Sequence, residues 1–351
     1  MFGEDSFTKY CLEIGEGQSA MTLVDINEDG HLDLAVVNEA SSELILFIGD
    51  GTGSLKRVNV LDAGENPTSV TAADLNEDGN VDLVIANHET SYLTLLNGDG
   101  KGSFQEARNS PLYIPVEPHP HVARVADVDQ DGHLDLLVDH RSGRGLLVIR
   151  GLGAGTFESQ GEVISTGGDP YRGFALGDIN GDQRPDLVTP NSNEIGIVLS
   201  SNPEGMSFDQ LPSLQSTSPF AVDIIDSNGD GKLDIVSASN NGRMPIQVFY
   251  GDKKNRFQEA PESPFRMNSG AKQIATGDTN GDGYGDVLVS NWTTDLLLIL
   301  GDQESLRTVS IEGIDTPWGL AIGDLNEDGK DDVLIGDGVL SKASIFLSQD
   351  R

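Results

Sequence analysis

The chain has 351 residues, of which 57 are acidic and 22 are basic, so its formal net charge near neutral pH is −35. This excess of negative charge disfavours binding to nucleic acid or to an anionic membrane surface. No apolar run approaches the roughly 18 residues of a membrane span, and a single cysteine, Cys11, excludes an internal disulfide. Composition therefore predicts no nucleic-acid partner and no membrane insertion, and it leaves the oligomeric state open.

An aspartate-rich pattern, Asp-x-(Asn/Asp)-x-Asp-x-x-x-Asp, recurs seven times along the chain at intervals of 46 to 53 residues. The copies begin at Asp25, Asp74, Asp127, Asp178, Asp226, Asp278 and Asp324. Periods of about 20 to 50 residues are typical of solenoids and propellers, whose units share one continuous core. The repeats therefore predict a single domain over residues 1–351, although length alone slightly favours two.

Each repeat contains four short strand patterns separated by turn signals. In the second repeat these patterns cover residues 69–73, 83–87, 92–96 and 104–107, with the aspartate loop between the first and the second. Four strands of this kind predict one antiparallel propeller blade. The fold class is therefore all-β, a seven-bladed β-propeller of four-stranded antiparallel blades. The predicted blade units are 17–65, 66–118, 119–168, 169–217, 218–268, 269–315, and 316–351 together with 1–16.

The two ends of the chain predict how the ring closes. The seventh unit stops at a third strand, residues 343–347, while residues 3–10 resemble the fourth-strand segment of the second unit, residues 100–107. We therefore expect the N-terminal strand to complete the last blade, which removes an exposed sheet edge.

The aspartate loops have the composition of a site for a hard cation. Oxygen-bearing side chains fall at positions 1, 3, 5 and 9, and a glycine at position 6 permits a sharp turn. An EF-hand is excluded because position 12 of the first loop is Val36 and because flanking helices are missing. We predict up to seven structural Ca²⁺ ions and folding coupled to their binding. The predicted ligands are Asp25, Asn27, Asp29, Asp33, Asp74, Asn76, Asp78, Asp82, Asp127, Asp129, Asp131, Asp135, Asp178, Asn180, Asp182, Asp186, Asp226, Asn228, Asp230, Asp234, Asp278, Asn280, Asp282, Asp286, Asp324, Asn326, Asp328 and Asp332.

Two details distinguish individual loops. The fourth loop has Gln183 where the others have glycine, so a left-handed conformation there costs on the order of 1 kcal/mol and makes this the weakest predicted site. His31 and His133 occupy position 7, whose expected ligand is a backbone carbonyl. We therefore expect their imidazoles to be solvated.

Loops of this form, repeated in register, resemble the FG-GAP and VCBS repeats. That family comprises calcium-loop β-propellers and includes the head of integrin α subunits and some fungal and bacterial lectins and glycan-active enzymes. The resemblance covers essentially the whole chain and implies the fold and the metal, but it says little about the ligand. Calcium loops with dissociation constants of about 0.1 to 1 mM are useful mainly outside cells. We therefore expect an extracellular or periplasmic protein that has lost a leader peptide.

Function should lie where the repeats differ, on the face opposite the aspartate loops. Six positions before each loop the repeats have Ser19, Thr68, His121, Arg172, Phe220, Lys272 and Trp318. Five positions after each loop they have Asn38, Asn87, His140, Asn191, Ser239, Asn291 and Asp337. Asparagine is the most frequent residue at this position and is interpreted as a turn residue. His140 departs from this pattern.

Four histidines, including His119, fall on this face. Histidine, tyrosine and arginine suit proton transfer next to a carboxylate, and aromatic rings suit stacking on sugars. The predicted catalytic residues are His88, His121, His140, Tyr171 and Arg172. The predicted ligand-binding residues are Arg141, Arg144, Phe220, Lys272, Trp292 and Trp318.

These residues leave several functions open. The first is recognition of a glycan, especially an acidic one, or of a protein ligand. The second is an enzyme, a polysaccharide lyase or a glycoside hydrolase, that uses the histidine, arginine and tyrosine side chains of blades two to four. The third is a structural adhesion domain. A transition-metal site among His88, His121 and His140 is a further alternative.

Overall fold

The computed structural model describes residues 7–115, 119–140, 145–170, 173–201, 206–241, 245–294, 296–311, 314 and 316–349, without the side chains of Gln18, Ser19, His140 and Pro245. Throughout these ranges the regular structure consists of β-strands. Within them, no helix is long and apolar enough to cross a membrane.

The strands are short and are numbered in chain order. They are β1 (Phe7–Glu13), β2 (Gln18–Val24), β3 (Asp33–Asn38), β4 (Glu43–Gly49), β5 (Leu55–Asp62), β6 (Pro67–Ala73), β7 (Asp82–Asn87), β8 (Tyr92–Gly98), β9 (Phe104–Glu106), β10 (Leu112–Tyr113), β11 (Ala123–Ala126), β12 (Asp135–His140), β13 (Gly145–Ile149), β14 (Glu162–Ser165), β15 (Ala175–Gly177) and β16 (Asp186–Pro190). They continue with β17 (Glu194–Ser200), β18 (Phe208–Gln210), β19 (Leu214–Gln215), β20 (Pro219–Ile225), β21 (Asp234–Ser239), β22 (Pro245–Gly251), β23 (Phe257–Glu259), β24 (Phe265–Arg266), β25 (Ala271–Gly277), β26 (Asp286–Asn291), β27 (Leu296–Leu300), β28 (Arg307–Ile311), β29 (Pro317–Gly323), β30 (Asp332–Asp337) and β31 (Lys342–Ser348).

These strands form seven antiparallel sheets, one for each repeat. Blades one, three and six consist of β2–β5, β11–β14 and β25–β28, each in sequence order. Blades two, four and five consist of β6–β9, β15–β18 and β20–β23, and in each a further short strand (β10, β19 or β24) pairs with the third strand. Blade seven has the order β29, β30, β31, β1. The prediction of a seven-bladed, all-β propeller is confirmed.

The N-terminal strand closes the ring, as predicted. β1 pairs antiparallel with β31 from Phe7 opposite Ser348 to Glu13 opposite Lys342. The Tyr10 hydroxyl also donates a hydrogen bond to the carbonyl of Gly53 in blade one. Blade seven is therefore joined both to the start of the chain and to the neighbouring blade.

The hydrophobic core lies between neighbouring blades, because successive side chains of a strand point to opposite faces of its sheet. In β7, Leu83 and Ile85 pack in a cluster with blade one, whereas Val84 and Ala86 pack in a cluster with blade three. All six residues of β7 are buried, as are those of β3 and β26. A single blade cannot cover both of its apolar faces, so each repeat is stable only between two others.

The antiparallel connections define two faces of the ring. We call the end with the aspartate loops, which join the first strand to the second, the loop face; the turns between the third and fourth strands lie there too. We call the opposite end, where the first strands begin and the second strands end, the mouth face. The first strands of the blades line a central channel that opens there.

Candidate functional site

Backbone hydrogen bonds organise each aspartate loop from within. In the first loop, Asp25 accepts hydrogen bonds from the backbone N–H groups of Asp29 and Gly30, at 3.2 and 2.8 Å. Asp29 in turn accepts one from the backbone N–H of His31 at 3.0 Å. Because these bonds fix the carboxylates of positions 1 and 5 around one point, the loop holds its oxygen donors in place before any ion arrives.

The aspartate at position 9 has a second task that the sequence did not reveal. Asp33 is fully buried, and its two oxygens accept hydrogen bonds from the backbone N–H groups of Ile26 and Gly49, at 2.9 and 2.7 Å. Equivalent pairs of bonds occur at Asp82, Asp135, Asp186, Asp234, Asp286 and Asp332. Each of these carboxylates therefore ties the loop to the end of the third strand.

Gly49 shows why this junction needs glycine. A Cβ atom at this position would lie 2.1 Å from the backbone oxygen of Leu32. Gly51 and Gly53, in the following turn, instead have positive φ, of 69° and 85°. Close backbone approach, and not backbone conformation, explains Gly49.

The donor set of the loops fits a hard divalent cation. In the third loop, one oxygen from each of Asp127, Asp129 and Asp135 lies within 4.8 Å of the others. Burial raises the pKa of Asp135 and of Asp186, Asp234, Asp286 and Asp332 to about 6. Buried carboxylates in such proximity favour a cation as their counter-charge, and oxygen donors are what Ca²⁺ or Mg²⁺ prefers.

Residue type, and not backbone conformation, separates the fourth loop from the others. Position 6 is left-handed in every loop, and Gln183 adopts this conformation, with φ of 68°, where the other loops have glycine. Position 4 is left-handed as well, which the sequence analysis missed: Glu28 and Glu77 have φ of 59° and 62° there. The signal was present in the sequence, because loops four to six have glycine at position 4.

His31 and His133 are solvent-accessible, as expected, and each also has a carboxylate partner. The Nδ1 atom of His31 contacts the carboxylate of Glu327, and that of His133 contacts the carboxylate of Glu77. Each glutamate sits at position 4 of a neighbouring loop. Its hydrogen bond raises the pKa of the histidine, so these pairs link adjacent blades on the loop face.

The central channel forms a cavity of about 390 Å³ whose lining includes Arg124 and Lys272, and Asp223 lies in the first strand of blade five, next to the lining residue Val222. The Arg124 Nε–H donates a hydrogen bond to the Phe174 carbonyl at 3.0 Å. Asp223 accepts a hydrogen bond from the Thr276 hydroxyl at 3.1 Å. Burial raises the pKa of Asp223, and the positive charge of Arg124 acts in the opposite direction. Charged groups therefore occupy the channel, where a purely apolar core would have been the simplest packing.

Three histidines from blades two and three cluster at the mouth face. The Nε2 atoms of His88 and His119 lie 3.4 Å apart. The His121 ring is centred 4.5 Å from each of the other two rings. His121 is buried, and its Nδ1 lies 3.2 Å from Asp139. We call His88, His119 and His121 the histidine cluster.

Aromatic residues of blades five to seven form a second group at the same face. The Lys272 ammonium lies 2.8 Å from the centre of the Trp318 ring and 4.7 Å from that of Trp292, so both contacts are cation–π interactions. Phe220 packs 6.3 Å from Trp292. The Trp292 indole N–H donates a hydrogen bond to Asn240 at 2.6 Å. We call Phe220, Lys272, Trp292 and Trp318 the aromatic group.

The structure thus gathers the predicted residues into two groups. Lys272 is only 4% exposed and Phe220 6%, whereas Trp292 is 41% exposed. Trp292 is therefore far more accessible from solvent than Lys272 is. Four predicted residues lie outside the described residues: Arg141, Arg144, Tyr171 and Arg172; the side chain of His140 does as well.

Two partners of the histidine cluster escaped the sequence analysis. Asp139 stands in the buried strand β12, where other repeats have residues such as Val37 or Ala86. Glu39 approaches His88, with its carboxylate 3.7 Å from the Nδ1 atom. An aspartate in an otherwise apolar strand position was a visible signal for the first, whereas the second depends on the folding of a loop.

The repeated asparagine at the end of the second strand is not simply a turn residue. Asn38, Asn87 and Asn191 are buried, and each side-chain amide donates a hydrogen bond to the carbonyl of the segment entering its blade: Ile14, Ala63 and Thr166 respectively. These residues therefore fix the incoming chain to the blade at the mouth face.

Seven four-stranded blades with an aspartate loop in each define an aspartate-loop β-propeller. The family model of the FG-GAP-like repeat matches residues 25–85, 74–138, 141–189 and 197–289. The chain belongs to this family of FG-GAP-like repeat proteins.

The chain is similar to a human protein by sequence and to two solved structures by fold. Human cartilage acidic protein 1 is 28% identical over 154 residues, which is 42% of this chain and 22% of that protein. Among solved structures, BBS1N in complex with ARL6DN has a TM-score of 0.65, 11% identity, and coverage of 98% of this chain and 97% of that one. An Agrocybe aegerita lectin that recognises non-reducing terminal N-acetylglucosamine has a TM-score of 0.58, 16% identity, and coverage of 92% and 85%. At these identities the two structures show the shared fold.

Proposed function

We propose that this protein is a secreted, calcium-stabilised β-propeller that binds a glycan at its mouth face. The observation that carries the proposal is Trp292, a large aromatic side chain that is 41% exposed and yet held in place. Its indole N–H is bonded to Asn240, and Phe220 and Trp318 pack against it. A rigid, exposed ring of this kind presents an apolar surface without a large entropic cost of ordering.

The buried lysine supports the same role for the aromatic group. The Lys272 ammonium packs against the ring faces of Trp318 and Trp292. A cation–π contact is stronger when the cation is desolvated, and here the lysine is buried. Lys272 therefore positions the two indoles and is not itself the charge that a ligand would meet first.

Calcium is proposed for the loop face on the basis of its donor set. Seven loops each provide four oxygen-bearing side chains, three or four of them carboxylates, and a left-handed residue at position 6. Such loops bind Ca²⁺ in extracellular modules with dissociation constants of about 0.1 to 1 mM, which supports secretion as the third element of the proposal.

A glycan is favoured over a protein ligand by the kind of surface that the aromatic group offers. Trp292 is one exposed ring beside a narrow channel mouth, which suits a sugar ring better than a broad protein interface. The lectin with the same fold recognises N-acetylglucosamine, so the architecture is compatible with glycan recognition. A preference for acidic glycans depends on Arg141, Arg144 and Arg172 and stays a prediction, as does the lyase or glycosidase alternative.

A glycan array tests the proposal. The wild-type protein, in calcium, should bind a subset of neutral or uronate-containing glycans, and Trp292→Ala should weaken that binding about tenfold, equivalent to about 1.4 kcal/mol. The matched control is Tyr113→Ala in β10, because Tyr113 is an aromatic residue 73% exposed on the outer edge of blade two. A silent array, or equal losses in both variants, would contradict the proposal.

A further inference from the structure

The histidine cluster has a composition and geometry that differ from every aspartate loop. We propose that His88, His119 and His121 form a binding site for a divalent transition-metal ion, with Zn²⁺ the best match. Imidazole nitrogen is a ligand for Zn²⁺, Cu²⁺, Ni²⁺ and Fe²⁺, whereas Ca²⁺ and Mg²⁺ prefer oxygen. The site is separate from the aromatic group, and the inference does not depend on glycan binding.

Distances within the cluster fit one shared ion. One ring nitrogen from each of the three histidines lies within 4.8 Å of the others. Two nitrogens bound to one tetrahedral Zn²⁺ at 2.0 to 2.1 Å would be about 3.3 Å apart. The Nε2 atoms of His88 and His119 are 3.4 Å apart, so this pair already has the separation that coordination requires.

Asp139 orients the most buried of the three rings. Its Oδ1 accepts hydrogen bonds from the backbone N–H groups of His121 and Val122, at 2.7 and 2.9 Å. Its Oδ2 lies 3.2 Å from the Nδ1 of His121. A carboxylate at Nδ1 keeps the proton on that nitrogen, so that Nε2 has a lone pair for a metal.

Glu39 brings a second carboxylate near the cluster, at an ion-pair distance and not at a hydrogen-bond distance. Its carboxylate lies 3.7 Å from the Nδ1 of His88, while the Nε2 of the same ring faces His119. Carboxylates behind two of three imidazoles would raise the basicity of the ligands and supply negative charge near the ion. An arrangement of carboxylate, histidine and metal is the usual one in zinc sites, and here two of its three parts are present.

The backbone fixes the cluster across two blades. His88 directly follows β7 of blade two, and its backbone N–H donates a hydrogen bond to the carbonyl of Asn66. His119 and His121 flank Pro120, whose ring fixes its own φ and restricts the backbone of His119. The Thr68 hydroxyl of blade two donates a hydrogen bond to the His121 carbonyl at 2.9 Å. Backbone contacts that do not involve the proposed ion therefore help to position the histidines.

Three protein ligands would leave one position of a tetrahedral ion open. Zinc sites of this kind keep that position for water or for a ligand oxygen, whereas closed structural sites have four protein ligands. His121 also lines the central channel at its mouth. We therefore expect a water molecule or a ligand oxygen to occupy the fourth position of the ion, at the mouth face.

Calorimetric titration with Zn²⁺ tests the site, with saturating Ca²⁺ present so that the aspartate loops are occupied. The wild-type protein should bind one Zn²⁺ tightly, and His119→Gln should weaken this binding at least about 100-fold, because two ligands cannot hold the ion. Asp139→Asn should weaken it about 10- to 100-fold. An asparagine keeps the acceptor for the two backbone N–H groups, but its amide would face Nδ1 and favour the wrong tautomer.

The remaining two histidines described by the structure provide the matched control. His31→Gln and His133→Gln alter exposed imidazoles on the loop face and should leave the Zn²⁺ affinity unchanged. Each variant is compared only if its melting temperature in Ca²⁺ is within a few degrees of the wild type; His88→Gln replaces His119→Gln otherwise. Absence of tight Zn²⁺ binding in the wild type, or equal affinity in His119→Gln, would overturn the proposal and leave a hydrogen-bonded histidine cluster.

Discussion

At the scale of single residues, position 9 of the aspartate loops has a structural role besides the metal ligation predicted for it. The spacing of the repeats predicted Asp33 and its six equivalents as metal ligands. The structure adds that both oxygens of Asp33 accept backbone hydrogen bonds, one within the loop and one from the end of β4. A carboxylate oxygen has more than one lone pair, so these bonds and an ion are compatible.

Asp223 carries a prediction about pH. Because burial raises its pKa, the native protein retains a proton there at pH values where the unfolded chain has lost it. The stability that this group contributes is therefore present below the unfolded pKa and is lost as the pH rises through the folded pKa. Asp223→Asn keeps an acceptor for the Thr276 hydroxyl but cannot ionise. We expect its melting temperature, relative to the wild type, to increase between about pH 4.5 and pH 8.

Thermal unfolding at several pH values measures this difference. Asp209→Asn, in the outer strand β18 at an exposed position, serves as the control and should follow the wild type at each pH. A difference for Asp223→Asn that stays constant or shrinks with rising pH would show that the channel does not penalise the charged carboxylate.

Single residues were also where the sequence analysis was least complete. Spacing placed His121, Lys272 and Trp318 at the starts of first strands, and the structure has all three lining the channel. Spacing could not show that Lys272 is covered by indole rings or that Asp139 stands behind His121. Those contacts join residues of different blades, or of a strand and the segment entering it, and a repeat pattern records only what blades share.

At the scale of elements, the repeat pattern predicted most of the structure because each blade satisfies the same requirements. A buried second strand such as β7 and the hydrogen bonds at each loop recur from blade to blade, so the sequence carries the same signal several times over. The short strands β10, β19 and β24 were not predicted, because within the described residues they occur in three of the seven blades. The N-terminal strand was predicted in the right blade, and its described part is Phe7–Glu13.

Ring closure by β1 can be tested through its register. Cys11 lies directly opposite Ser344 in β31, and cross-strand neighbours in antiparallel sheets have Cα separations of about 4.5 to 5.5 Å, within the range that a disulfide needs. Under oxidising conditions Ser344→Cys should form an intramolecular disulfide with Cys11. Because the bond closes a very long loop, it should stabilise the protein by about 2 to 4 kcal/mol.

Mass spectrometry of the non-reduced protein and its melting temperature with and without reductant report the outcome. Lys342→Cys is the control, because Lys342 is two residues away from the matching position and pairs with Glu13. Cross-linking in Lys342→Cys, or its absence in Ser344→Cys, would mean that the register of closure is different.

At the scale of the whole molecule, the two faces of the propeller differ in composition and in how far they repeat. The loop face is repetitive and acidic. Hydrogen bonds from backbone N–H groups to carboxylates organise each loop from within, and histidine–glutamate pairs join neighbouring blades. On the mouth face, the histidine cluster and the aromatic group each occur once in the described part of the ring. We therefore attribute stability to the first face and recognition to the second.

The central claim is that the aspartate loops hold this scaffold together by binding calcium, and thermal unfolding against calcium concentration tests it most directly. For loops with dissociation constants of about 0.1 to 1 mM, 10 mM Ca²⁺ should stabilise the native state by roughly 1.4 to 2.7 kcal/mol for each occupied loop. The melting temperature should therefore rise steeply with Ca²⁺ and fall when a chelator removes it. A melting temperature that is the same in chelator and in 10 mM Ca²⁺ would contradict the claim.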